Sequence, residues 1–333
     1  MKHSTAASLC LAVATAAASG ACKPDLGAPI SVLSGPRILA IRGTPAEAAP
    51  GTKVTYDLLA ADETGPIVAP SVTWAQCHVP KSPSDPNKVS VACLSVPDDA
   101  GPSPTFTAPM PMGTIPSGPD GGTVNVDACQ HFGPEAPTDM PGVRPRDPDV
   151  TGGYYQPVRA NLSTPAGTLT GFDLERIRCD LANAPADVTV MYNANYVLNS
   201  NPTIASVMLD PDGAATPLFA SGTPAPATVA TVSAGQAVTL RVSWADASAE
   251  TYLVWNLASH TLDTHREALT VYWFTTAGLF AHDSSGRDEQ DPADDTDDVW
   301  TAPTTPGPVY FWAVLTDIRG GVDFAQAKVD VVP

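Results

Sequence analysis

The chain has 333 residues, of which 43% are hydrophobic, with 35 prolines, 25 glycines and a formal net charge of −18. That length and apolar content suit two domains with real cores, and the proline load works against helices. So acidic a surface repels phosphate, which excludes nucleic acid and anionic lipid headgroups as partners.

Lys2 and His3 open the chain, residues 4–18 form a modest Ala-rich apolar run, and Ser19, Gly20 and Ala21 lead to Cys22. This is the layout of a secretion signal over 1–21, too short and too weakly apolar to span a bilayer. A cysteine directly after such a cut is where bacterial lipoproteins are acylated, so Cys22 is the expected lipidation site. Residues 22–35, with Lys23-Pro24-Asp25-Leu26-Gly27, are the expected flexible tether. Ser19 stands where lipoprotein signals usually carry Leu, and Ser19 with Ala21 also suits an ordinary signal peptidase. Both enzymes cut the same bond, so export is common to the two readings. No later stretch offers the ~20 apolar residues of a membrane span, which leaves the lipid anchor as the membrane attachment. By analogy with lipoprotein sorting, the lack of Asp after Cys22 points to the outer membrane, facing periplasm or exterior.

Removing the signal leaves Cys22, Cys77, Cys93, Cys129 and Cys179. Lipidation of Cys22 leaves four, enough for two disulfides in an oxidising compartment, with three pairings open. Cys77–Cys93 with Cys129–Cys179 is favoured, because the first closes a short Pro-rich loop. No CxxC spacing supports zinc or thioredoxin-type chemistry.

The mature chain repeats. Pro36-x-Ile38-x-x-Ile41 returns as Pro202-x-Ile204-x-x-Val207, and Gly51-x-x-Val54-Thr55-x-x-Leu58-x-x-Ala61-Asp62 returns without a gap as Gly235-x-x-Val238-Thr239-x-x-Val242-x-x-Ala245-Asp246. Val72-Thr73-Trp74 is matched by Val271-Tyr272-Trp273, and Phe106-Thr107-Ala108-Pro109 by Trp300-Thr301-Ala302-Pro303. Val54, Tyr56, Leu58 and Ala60 alternate, as do Val238, Leu240, Val242 and Trp244, which predicts strands with one buried face. Turn signals at Pro50-Gly51, Ala234-Gly235, Asp210-Pro211-Asp212-Gly213 and Gly320-Gly321 separate them. The predicted fold is all-β: two tandem immunoglobulin-like β-sandwiches, over 36–183 and 202–333, joined by a linker at 184–201. A Trp in each copy fills the space between sheets, without the inter-sheet disulfide of antibody domains. Two insertions, 77–104 and 110–151, interrupt the pattern and are where binding loops would lie.

Arg37-Ile38-Leu39-Ala40-Ile41 with Pro50-Gly51, Gly152-Gly153-Tyr154-Tyr155-Gln156-Pro157-Val158-Arg159, and Arg176-Ile177-Arg178-Cys179 resemble a group of predicted lipoproteins of myxobacterial type with Ig-like domains. The resemblance covers most of the mature chain. It implies envelope location and a sandwich fold, and no activity.

The densest chemistry is the acidic loop between the Trp273 and Trp300 strands: Asp288, Glu289, Asp291, Asp294, Asp295, Asp297 and Asp298. Converging carboxylates are what Ca²⁺ requires, so the six aspartates are the candidate metal ligands and Ca²⁺ the candidate cofactor, against the default of a solvated acidic loop. Asp210 and Asp212 are a lesser calcium candidate. His260, Asp263 and His265 are a transition-metal candidate, although five residues apart on a strand the two histidines face opposite sides. His78 and His131 lie near cysteines that disulfides occupy. Tyr154, Tyr155, Tyr310, Phe311 and Trp312 form a candidate aromatic platform for a sugar or protein, with about half of them turned into the core by alternation. No GxSxG elbow, P-loop or GxGxxG unit is present.

These features describe a non-enzymatic envelope lipoprotein with a structural or adhesion role and a protein or glycan ligand. The alternative is a secreted metal-dependent or hydrolytic enzyme. Converging His and carboxylates in a cleft between the domains would favour the enzyme; exposed aromatics on one sheet face would favour binding.

Overall fold

The computed structural model describes residues 29–67, 71–77, 79–80, 89–94, 110–114, 121–124, 126–134, 150–210, 215–222 and 229–333. The signal segment, Cys22, His78, the 106–109 anchor, residues 211–213 and much of both insertions lie outside them.

Two β-sandwiches follow one another. In the first, Arg37–Thr44, Lys53–Asp62 and Gly65–Pro66 form one sheet, with Gly121–Thr123 also on Lys53–Asp62. The opposing sheet runs Glu47–Ala48, Gly167–Arg178, Gly153–Thr164, Ser71–Gln76, Met110–Thr114. In the second, one sheet runs Thr216–Ala220, Ile204–Asp210, Ala237–Trp244, Asp295–Thr301, Leu279–Phe280. Its partner runs Ala230–Ser233, Val322–Val332, Gly307–Asp317, Leu269–Thr275, Ser284–Arg287.

The repeat is visible in register. Ile41 lies opposite Leu58 in the first copy and Val207 opposite Val242 in the second. Each opening strand carries a register shift at the same point, between Ile38 and Ala40 and between Ile204 and Ser206. Trp74 faces Ala160 across the strand pair, and Trp273 faces Ala313. Each copy has a short strand parallel to its last one, Glu47–Ala48 and Ala230–Ser233. Gly51 and Gly235 turn the chain into the second long strand at φ +82° and +75°, a conformation that disfavours any side chain. Alternation supplies both cores: Val54, Tyr56, Leu58 and Ala60 pack on Trp74, Val158 and Leu162, and Val238, Leu240, Val242 and Trp244 pack on Trp273, Trp300 and Phe311.

The sandwiches also share a third apolar layer. Leu59 and Ala61, on the outer side of the first sandwich's smaller sheet, meet Phe274, Trp312, Val314 and Val322 on the outer side of the second. Gly307–Asp317 is therefore buried on both faces, with Val309, Phe311, Ala313 and Leu315 in the second core and Trp312 and Val314 in the shared layer. A strand covered on both sides reads as a continuous apolar run, and Val309-Tyr310-Phe311-Trp312-Ala313-Val314-Leu315 is one.

Three segments depart from expectation. The tether is not free to residue 35: Leu33 N–H donates to the Thr275 carbonyl and Thr275 N–H to that of Ser31, placing Ser31 and Leu33 in buried positions on the second sandwich. Leu33 joins the shared apolar layer, and Arg37 lies over the Phe274 ring while donating to the Ile30 carbonyl. The linker contains a helix, Ala186–Asn195, with Asp187 in its first turn, where a negative charge suits the helix dipole. Val188 and Tyr192, one turn apart, face inward. Finally, Thr251–Asn256 and Thr261–Arg266 form a hairpin outside both sandwiches. Its Trp255 packs with Tyr192 and Leu181, and its backbone N–H donates to Val150. The second domain thus reaches back over the linker to the first.

Candidate functional site

Above the shared apolar layer, polar side chains fill the junction of the first sandwich, linker, hairpin and second sandwich. Glu47, beside Arg176 in the parallel strand pair, is fully buried, and Arg176 Nε lies 3.4 Å from its carboxylate. That carboxylate also accepts the Asn199 backbone N–H at 2.8 Å and the Tyr196 hydroxyl. Arg176 further donates to the Tyr155 hydroxyl and to the Thr151 carbonyl and hydroxyl. The Gly152–Gly153 pair makes room for it. A Cβ on Gly153 would stand 2.0 Å from the guanidinium carbon, and one on Gly152 would stand 2.0 Å from the Tyr192 hydroxyl. Burial and the neighbouring Glu47 push the Tyr196 phenol up to about 12.

Arg319, on the turn between the last two strands, is the second hub. It donates to Glu267 at 2.6 Å, to Glu250 at 2.8 Å and to the Val197 carbonyl, with its guanidinium 4.9 Å from the Tyr252 ring. Its own carbonyl accepts the Tyr155 hydroxyl from the first sandwich. Asp317 accepts the N–H groups of Arg319 and Gly321 and the Asn199 amide. Asn199 therefore ties Glu47 of one sandwich to Asp317 of the other. At the rim, Arg42 bridges Asp57 and Asp323, and Asn201 donates to the Gly43 carbonyl. The carboxylates between the domains converge on guanidinium groups and backbone donors. Such an arrangement ties the two sandwiches and the linker together.

The aromatic candidates belong largely to this contact. Tyr154 and Phe311 are core, Trp312 is in the shared layer, Tyr155 is at the charged junction, and Tyr310 stacks on Trp312 with Lys328 over its ring.

The acidic segment is divided between a turn and a strand. Asp295, Asp297 and Asp298 lie within the Asp295–Thr301 strand, where alternation turns Asp298 away from the other two. Arg241 pairs with Asp295 and Asp297, Arg287 pairs with Asp291 and Asp295, and Asp298 accepts from His282. Asp288 caps the turn, accepting the N–H groups of Gln290 and Asp291. Asp294 supplies its backbone carbonyl to Trp244. Among the described residues, no group of three or more His, Cys, Asp or Glu side chains is arranged to hold a metal ion. The histidine candidates are likewise dispersed: His260 packs edge-on to Trp255, His265 pairs with Glu289, and Asp263 accepts from Asn256 and Thr261.

Cys77 is joined to Cys93, and Cys129 to Cys179, the latter tying the short helix Ala128–Phe132 to the end of the Gly167–Arg178 strand. Beside it opens a groove of about 730 Å³, with Gln130, Arg178, Asp180, Asn183 and Asn193 on its walls.

Sequence reasoning missed Glu47, Arg176, Asn199, Glu250, Glu267, Asp317 and Arg319 as a group. One signal was present: a concentration of charge at Asp173, Glu175, Arg176 and Arg178 on one strand, in a chain where only 16% of residues are charged.

No family model matches the chain, and no curated protein matches it. Among solved structures, the C-terminal domain of the Streptococcus agalactiae AgI/II polypeptide BspA is similar at 9% identity over 89% of this chain and 99% of that one, with a TM-score of 0.23. Another BspA structure is covered over 60% of its length at 8% identity and a TM-score of 0.23. Dimeric latent PorU from Porphyromonas gingivalis is 12% identical over 90% of this chain, with a TM-score of 0.20, and the chain spans only 24% of its length. Likenesses this distant carry nothing about activity or partners.

Proposed function

We propose that this chain is a non-enzymatic cell-envelope lipoprotein, exported, held at the outer membrane through Cys22, with a structural or binding role toward a protein or glycan. The observation that carries the reading is the welded contact between the sandwiches, in which Trp312 and Leu59 share an apolar layer and Arg176 and Arg319 fill the space above it. Two Ig-like units fixed in this way make a stiff body, which suits presenting loops at a distance from a surface. An enzyme working between the domains needs that space open. Two disulfides support export to an oxidising compartment. Among the described residues no helix is long and apolar enough to cross a membrane.

The test is the intact mass of the mature N-terminus and its partition into detergent, for the native chain and Cys22→Ser. The reading expects a mass increment of acyl chains on the native protein and an aqueous, unmodified variant. A native protein cut before Cys22 and carrying no lipid overturns the anchor and leaves a secreted protein.

A further inference from the structure

We propose that the junction is a proton-gated clasp: with a proton on Glu267, the Arg319 turn holds the 196–201 linker closed against both sandwiches, and losing that proton loosens the linker. The basis is a charge count. Among the described residues, Glu47, Glu250, Glu267 and Asp317 face two cations, Arg176 and Arg319, and all of these but Glu250 are among the buried residues. Among the described residues, four carboxylates stand against two guanidinium groups, and three of the four are buried away from water. Buried carboxylates relieve such an excess by taking up protons.

Glu267 is the natural acceptor. Its side chain is fully buried, it shares one guanidinium with Glu250, and its second oxygen accepts the Glu250 backbone N–H. The groups facing it are Arg319 and Asp317 on the turn and Glu250 and Tyr252 on the hairpin arm. Behind them stand Arg176, Tyr155 and Glu47 of the first sandwich, Tyr196 of the linker and the His265–Glu289 pair. Burial, reinforced by Asp317 and Glu250 and opposed by Arg319, pushes its carboxyl up to about 7, and burial raises Asp317 as well. A carboxyl raised on folding from 4.5 contributes stability that is full below that value and is lost as pH rises through about 7. The clasp is therefore tighter in mild acid. The Val197 carbonyl and the Ser200 and Asn199 N–H groups are held directly by Arg319, Glu250 and Glu47, so the linker is the segment that responds.

The test is amide hydrogen exchange of residues 196–201 in the whole mature chain, native against Glu267→Gln in the same buffers, at about pH 5 and about pH 8. The expected result is equal exchange at the lower pH and several-fold faster exchange in the native protein at the higher pH. A native-to-variant ratio that is the same at both overturns the proposal. Should Glu267→Gln fail to fold, Glu250→Gln at the cluster's edge removes one surplus charge and must flatten the pH dependence of linker exchange; an unchanged dependence overturns the clasp equally.

Discussion

Arg42 of the first sandwich donates to Asp323 of the second at 2.6 Å, and the other oxygen of the same carboxylate accepts the Ile204 backbone N–H at 2.8 Å. One side chain thus fixes the rim of the first domain and the first strand of the second. Arg42 is about a quarter exposed, so the pair is worth less than a buried one. Asp323→Ala should cost about 1–2 kcal/mol in urea unfolding. A double-mutant cycle with Arg42→Ala should show coupling between the two sites, and additive losses would place the effect on Ile204 alone.

Trp312 is wholly buried in the layer between the sandwiches and hydrogen-bonds Gln326 through its indole N–H. Trp312→Ala should cost about 3–5 kcal/mol and should separate the unfolding of the two domains. Trp300→Ala, inside the second core, should cost a similar amount but lower the second sandwich alone.

Glu175 lies opposite Gln156 on the core side of the first sandwich, near Tyr56, with a site at Gly43 where a Cβ would stand 2.5 Å from its carboxylate. Burial, reinforced by Asp173, raises its carboxyl well above the usual range. Its ionisation therefore destabilises the fold as pH rises. Glu175→Gln should raise stability by on the order of 1–3 kcal/mol at about pH 8 and change little near pH 4. Chemical denaturation at the two pH values checks this, and an equal gain at both would contradict it.

The two disulfides close loops of different length, with sequence separations of 16 and 50. Chain-entropy arguments assign about 3 kcal/mol to the shorter and about 4 kcal/mol to the longer. Cys129→Ser with Cys179→Ser should accordingly lower the melting temperature more than Cys77→Ser with Cys93→Ser. The reverse order would mean that unfolded-state structure outweighs loop length.

The two sandwiches were legible because alternation and turn residues act locally, and the duplication wrote each of them twice, down to the shift after Ile38 and Ile204. The layer between them was half legible. The run from Val309 to Leu315 announces burial on both faces but not what covers the second. Leu33 was unreadable, since a few apolar residues after a signal look like tether until a sheet edge is present to receive them. The Ala186–Asn195 helix was hidden by Asn and Val, which have weak helix preference, and it owes its place to Tyr192 packing on Trp255. For the aspartates from 288 to 298 the sequence gives the density of charge and not its partners, since Arg241 and Arg287 reach them from other strands and His282 from a connecting segment. The Glu47, Arg176, Asn199, Asp317 and Arg319 network joins residues more than a hundred positions apart, which no spacing within a single chain reveals.

The central claim is that the two sandwiches behave as one body, and scanning calorimetry of the mature chain tests it most directly. One transition, with calorimetric and van't Hoff enthalpies in agreement, is the predicted result, splitting into two on Trp312→Ala. Two independent transitions in the native protein would contradict it.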